Sequence, residues 1–314
     1  MKEETSRPSH GRSGTSASAS PVRVLHVAEY IKGGIATYLD AVLAHRAATA
    51  GPESVALIVP DAELDQVHPP KGVRVETYRY GGRGPISLLR LMWSLRKGIR
   101  EIQPDIVHIH SSFPGFAGRL PMMLMGRRPI CIYCAHGWSF EMEMASWRRA
   151  VFEFVERLLS RTTDAIVNIS MSDHRASLDS GFDESRCVYI PNGVDFVDAN
   201  DSEDDVRLDE EVVNLLFVGR FDRQKGIDLL MDSMAHLNDE PLYLYVVGEA
   251  VLGGAEVVPS ANVEFLGWRP RNTLQDLFAR ADAVVMPSRW EGFGMVAIEA
   301  MCCGTAVIAS NRGA

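Results

Sequence analysis

From Val22 onward, short apolar runs alternate with stretches of helical period. Strands are predicted at 22–28 (VRVLHVA), 55–59, 73–78, 105–110 (DIVHIH), 130–136 (ICIYCAH), 164–170 and 187–191. Between them, apolar residues recur every three to four positions at 35–48, 87–102 and 147–161, with a short helix from Ser172. Near-continuous apolar, β-branched runs separated by helices predict a parallel sheet covered on both faces.

The pattern breaks at 195–211 (DFVDANDSEDDVRLDEE), an acidic stretch poor in large apolar residues. It then restarts. Strands are predicted at 212–219, 242–248, 263–267, 283–287 and 305–310, and helices near 226–237, 273–281 and 294–303. The expectation is two doubly wound α/β units, 22–195 and 212–314, joined by an acidic linker at 196–211. The second unit reads as short, because a strand stands almost at the end of the chain. A length of 314 residues agrees with two domains at ~150 residues each.

The apolar share of 46 % and charged share of 23 % are those of a globular protein. No run approaches the ~18 uncharged apolar residues of a spanning helix. Residues 1–21, rich in Ser, Gly and charge, lack the apolar core of a signal peptide and read as a disordered leader. A net charge of −9 argues against nucleic acid as a partner. Five cysteines (131, 134, 187, 302 and 303) are irregularly spaced. Cys131 and Cys134, three apart on a strand, point to opposite faces and cannot share a metal. Buried, reduced thiols and a cytoplasmic setting follow.

Three loops carry candidate chemistry. Lys32-Gly33-Gly34 stands between the first strand and its helix, either a tight turn or a place where backbone meets a phosphate. Arg220 and Lys225, in GRFDRQKG, follow a strand and precede a helix. Two cations there suit a diphosphate, or are merely solvated. In WEGFGMVAIE, Glu291 precedes a helix predicted to start near Gly294, and Glu299 lies within it. They read as acceptors for the hydroxyls of a polyhydroxylated ligand, with a solvated Glu299 as the alternative. His108 and His110 alternate on one strand face. They are expected to line an acceptor cleft, or, with His136, to form a three-histidine metal site. Asn192 in IPNGVD is expected to shape a turn.

EGFGMVAIE has the E-x7-E pattern of retaining glycosyltransferases. With GRFDRQKG some seventy residues earlier, IPNGVD at 190–195 and KGG after the first strand, the chain resembles a family 4 glycosyltransferase over about 22–314. The resemblance implies a GT-B fold: two Rossmann-like units facing each other across a cleft. It implies that Glu291 holds donor-sugar hydroxyls and Glu299 the ribose. Arg220 and Lys225 would clamp the diphosphate, aided by backbone N–H groups of Gly294, Met295 and Val296. Gly33 and Gly34 would close over the phosphates, and His136, in AHGW, would contact the donor sugar. The expected activity is retaining transfer from a nucleotide sugar, a UDP-sugar before GDP-mannose, to a glycan or lipid-linked glycan in surface polysaccharide synthesis. No cofactor is expected, and the lack of a D-x-D-type motif implies no metal. Two other activities fit parts of the sequence. One is a non-catalytic nucleotide- or glycan-binding protein, because family members continue through further βα units. The other is a nucleotide-sugar epimerase or hydrolase.

Residues 83–128 hold eight basic residues and two acidic ones. On the helix at 87–102, Leu88, Leu91, Leu95 and Ile99 share one face, and Arg90, Arg96, Lys97 and Arg100 share another with Leu89 and Trp93. Such a face suits an anionic membrane surface, or is the solvated side of a packed helix. It adds peripheral attachment to the inner face of the cell membrane to the expectations.

Overall fold

The computed structural model describes residues 21–29, 31, 33–194, 206–250 and 260–313. Residues 1–20 of the leader, Lys32 and residues 195–205 of the linker lie outside the described residues.

The first unit runs β1 (Val24–Val27), α1 (Gly34–Ala50), β2 (Val55–Pro60), β3 (Arg74–Tyr78), α2 (Pro85–Ile102), β4 (Ile106–His110) and α3 (Ser112–Met122). It continues through β5 (Ile130–Cys134), α4 (Ser146–Ser160), β6 (Ala165–Asn168), α5 (Met171–Asp179) and β7 (Cys187–Tyr189). The second runs β8 (Val213–Val218), α6 (Ile227–His236), β9 (Leu242–Val247), β10 (Val263–Gly267), α7 (Arg271–Arg280), β11 (Ala283–Met286), α8 (Met295–Cys302) and β12 (Ala306–Ala309). Each unit has a sheet of its own, ordered 3-2-1-4-5-6-7 and 10-9-8-11-12, and every pairing is parallel. Strand order reverses between β1 and β4, and again between β8 and β11. Open parallel sheets bind ligands beyond the carboxyl ends of such strand pairs.

All six residues of β2 are buried. Ala56 and Ile58 join one core with Leu91 and Leu95 of α2; Val55, Leu57 and Val59 join another with Leu39 and Leu43 of α1. Burial on both faces is what turns a parallel strand into a continuous apolar run. The same division places Cys131 and Cys134 in different cores. Cys187 is buried too, but Cys302 is exposed on α8, which corrects the expectation of buried thiols throughout.

Helix α3 was not predicted, since SFPGFAGRLPM carries two prolines and two glycines. Tertiary packing outweighs that low propensity. A Cβ at Gly115 would stand 2.6 Å from the Tyr133 ring, and one at Gly118 2.5 Å from Ile109, so the glycines let the helix lie directly on the sheet. Behind it, Arg119 is wholly buried. It donates to Glu156 of α4 at 2.5 Å and to the Gly115 carbonyl at 2.8 Å, and lies 3.7 Å over the Tyr133 ring.

The linker ends earlier than 211. Val206 and Leu208 pack on the second core, and the Val206 and Arg207 carbonyls accept from Arg280 and Tyr245. Two apolar residues and two backbone carbonyls fasten 206–208, within a stretch whose acidic composition reads as a linker.

Candidate active site

In the second unit the loops after β8 and β11 are knitted together. Arg220 donates to Gln224 at 2.9 Å and pairs with Asp222 at 3.0 Å. The Asp222 carboxylate accepts from the Lys225 backbone N–H at 3.0 Å, which turns the chain into α6. Gly226 caps that helix at φ 66°, where a Cβ would lie 2.2 Å from the Pro287 carbonyl oxygen. No L side chain suits that conformation, and none would fit. Arg289 holds Asp228 through two contacts of 2.8 and 2.6 Å and keeps its carboxyl below the ordinary range. Gln224 donates to the Trp290 carbonyl at 3.2 Å.

This scaffold brings Lys225 and Glu291, 66 residues apart, into direct contact. The ammonium donates to Glu291 Oε1, which also accepts from the Ser288 hydroxyl at 2.7 Å. Both side chains are mostly buried. Gly294 caps α8 in the left-handed region at φ 77°, so the free N–H groups of Met295 and Val296 open the helix beside Glu291. Glu299 is half-buried one turn further on.

The first unit closes on the same place. A Cβ on Gly292 would lie 2.7 Å from the His136 carbonyl oxygen and 3.0 Å from the Gly137 Cα. A Cβ on Gly34 would stand 3.1 Å from the Met295 side chain, and Asn192 donates to the Met295 sulfur at 3.6 Å. Gly34 therefore faces the start of α8, while the space beside Gly33 is open. Arg223 pairs with Glu143 at 2.9 Å at the rim. The loops that carry His136 and Gly34 thus meet the loop of Glu291 and the start of α8, and Lys225 reaches Glu291 from the second unit.

His108 and His110 do not line an acceptor cleft. They are 8 % and 0 % exposed, because Tyr38 of α1 covers that face of the sheet. Nor is His136 the third member of their cluster. That member is His26, paired in register with His108 across β1 and β4. Their nearest ring nitrogens lie within 4.8 Å of one another. Strand alternation in both VLHVA and DIVHIH was the available signal; it needed the knowledge that β1 and β4 are neighbours. Burial lowers all four histidines, His26 to about 4. An open cavity of about 570 Å³ lies along α4 and α5, lined by Phe140, Glu141, Arg149, Glu153, Arg175 and Asp179 among others.

Two further carboxylates escaped the sequence reading. Glu29, buried just beyond β1, accepts from Tyr80 at 2.8 Å and Arg83 at 3.3 Å. Asp173 lies under the loop that carries His136, accepting from the backbone of Gly137 and Trp138. Burial, and then Glu141, pushes its carboxyl up to about 7 from 3.8. The stability tied to this raised value is full below the unfolded value and is lost as pH rises through 7. Asp173→Asn should therefore match wild type near pH 4 and exceed it above pH 7 by about 4 kcal/mol, at ~1.4 kcal/mol per unit. Urea melts at the two pH values measure this, and an equal difference at both would refute it.

Two Rossmann-like units with their switch points turned toward each other define the GT-B class of glycosyltransferase. The sequence profile of Glycosyltransferase Family 4 matches residues 32–197, and that of Glycosyl transferases group 1 matches 198–314. The chain belongs to Glycosyltransferase Family 4. It is 29 % identical over 299 residues to an uncharacterized 41.2 kDa protein in the cps region of Klebsiella pneumoniae, covering 92 % of this chain and 81 % of that one. It is 25 % identical to the UDP-Gal:alpha-D-GlcNAc-diphosphoundecaprenol alpha-1,3-galactosyltransferase of Escherichia coli, covering 72 % of this chain and 62 % of that one. Among solved structures, the sucrose-phosphate synthase of Thermosynechococcus elongatus superposes with a TM-score of 0.75 at 21 % identity, over 93 % of this chain and 82 % of that one. Anabaena HepE in complex with UDP and glucose gives 0.69 at 19 %, over 93 % and 81 %.

Proposed function

We propose that this chain moves a hexosyl group from a UDP-sugar to a glycan or lipid-linked glycan, with retention and without a metal. The observation that carries the reading is the Lys225–Glu291 pair, held at the β8/β11 switch point next to Gly292, whose backbone meets that of His136. In the free protein each neutralises the other. A bound diphosphate takes the Lys225 ammonium, with Arg220 and the N-terminus of α8 (Gly294, Met295, Val296) completing the cradle. Glu291 is then released to accept from sugar hydroxyls, while Glu299 takes the ribose and Gly33 and Gly34 approach the phosphates from above. The bond from the anomeric carbon to the diphosphate breaks, and its electron pair leaves with the phosphate oxygen. The acceptor oxygen bonds to the same face, and its proton passes to the departing phosphate. Lys225 and the helix terminus stabilise the charge that develops there without a metal. The preference for a UDP-sugar and a lipid-linked acceptor draws on the name of the Escherichia coli relative.

Thermal melts with nucleotides and nucleotide sugars, with and without EDTA, test the donor site. Donor at ~100 times its Kd adds ~2.7 kcal/mol. A shift with UDP and a UDP-sugar, unchanged by EDTA, is expected. No shift with any nucleotide would favour the binding-protein reading for some other ligand, and free sugar released without acceptor would favour a hydrolase.

The acceptor side is proposed to meet an anionic membrane. Among the described residues no helix is long and apolar enough to cross one. The apolar face of α2 is packed as expected, with Leu91 and Leu95 buried, and Ile86, Leu89 and Trp93 are exposed beside Arg96 and Arg100. Beyond the basic stretch at 83–128, α4 carries a longer stripe. Trp147, Val151, Phe154 and Leu158 are exposed on one face, flanked by Arg148, Arg149 and Arg157. Helix α3 packs against both α2 and α4. Each basic residue near an anionic surface contributes ~1 kcal/mol. Trp147→Glu with Phe154→Glu should release the protein from liposomes of acidic lipid at low salt; undiminished sedimentation would sink this surface.

A further inference from the structure

Three buried rings connect β1 to the cleft. His26 Nδ1 lies 3.0 Å from His110 Nε2, and His110 Nδ1 lies 3.0 Å from His136 Nε2. His26 and His110 are 2 % and 0 % exposed, and only His136 reaches the cleft. Burial keeps the rings neutral, so each has one N–H and one lone pair. Each contact needs one proton between two nitrogens. Only two arrangements satisfy both contacts. In one, hydrogen bonds run from His26 to His110 to His136, and His136 keeps its proton on Nδ1. In the other they run back, and His136 Nδ1 is a bare acceptor. The middle ring uses both nitrogens, so neither end can change alone.

We propose that His26 and His110 are positioning residues that hold His136 in a single tautomer through this chain, fixing whether it offers the donor sugar a hydrogen or a lone pair. The inference rests on the reading that His136 touches that sugar. A neighbouring ring, His108, has an unpartnered buried Nε2 and completes a group that could take a metal ion with His26 and His110. The hydrogen-bonded chain is favoured over that use. His26 Nδ1 and His110 Nε2 already face each other at hydrogen-bond distance, and among the described residues no carboxylate joins the group to offset a buried dication.

The test uses the full chain labelled with 15N-histidine, with His136 assigned from His136→Asn. Protonated and bare ring nitrogens give separate 15N signals, and wild-type His136 should show one of each. His26→Leu removes the far end of the chain without touching the cleft. It should draw the two His136 signals toward each other and slow kcat about tenfold, the scale for losing a group that orients a working histidine. His26→Asn returns an amide to the place of Nδ1 and should restore both the signals and the rate. Unmoved His136 signals in His26→Leu, or His26→Asn behaving like His26→Leu, would overturn the proposal. So would one equivalent of zinc in the purified protein that His108→Ala loses. Full transfer by His136→Ala would remove the sugar contact instead, and leaves the tautomer result to be judged on the spectra alone.

Discussion

Lys225→Ala is expected to slow sugar transfer by ~10²–10³, the scale for removing one preorganised donor from a developing charge. The reason is specific to this pocket. The ammonium is mostly buried beside Glu291, so its loss would leave the carboxylate unneutralised next to the proposed diphosphate site. Like charges then add repulsion to the lost attraction. Lys225→Ala with Glu291→Gln should recover donor binding but not rate, because the repulsion is gone and leaving-group stabilisation is still missing. Transfer rates and donor affinity for the three proteins check this. Full activity in Lys225→Ala would place the diphosphate elsewhere.

The second large effect is on stability. Glu156→Ala should cost about 3–5 kcal/mol, because it leaves the Arg119 guanidinium buried between α3 and α4 without its carboxylate. Out of a typical total of about 5–15 kcal/mol that is a large share. Tyr133 loses its acceptor as well, since its hydroxyl donates to Glu156 at 3.1 Å. Replacing both partners by apolar residues, Arg119→Met with Glu156→Leu, should be close to neutral, since no charge is then stranded. Urea melts of the single and double variants decide it; a single variant as stable as wild type would show that water reaches Arg119.

The strands were legible because buried parallel strands are apolar on both faces, as β2 is, and few other arrangements produce such runs. The loops proposed to hold the donor stood out because their candidate residues are local: Arg220 and Lys225 are five residues apart, and Glu291 and Glu299 eight. What escaped was chemistry made by partners distant in sequence. Lys225 and Glu291 are joined across 66 residues, and His26 and His110 across 84. The misplacement of His108 and His110 has a related cause. Alternation shows that two residues share a face, but not which helix lies over it, and here Tyr38 of α1 does. Helix α3 escaped because its glycines are chosen for closeness to the sheet rather than for helix formation.

The meeting of Gly292 with His136 and Gly137 is backbone against backbone, with no side chain as a spacer. A methyl group at 292 would act as a wedge, and the gap beside it needs to reach only ~10–15 Å³ to admit a water molecule. Water is itself an acceptor for an activated sugar. Under the proposed transfer, the missing side chain at 292 bears on fidelity more than on speed: a wedge there would let water compete with the acceptor for the sugar.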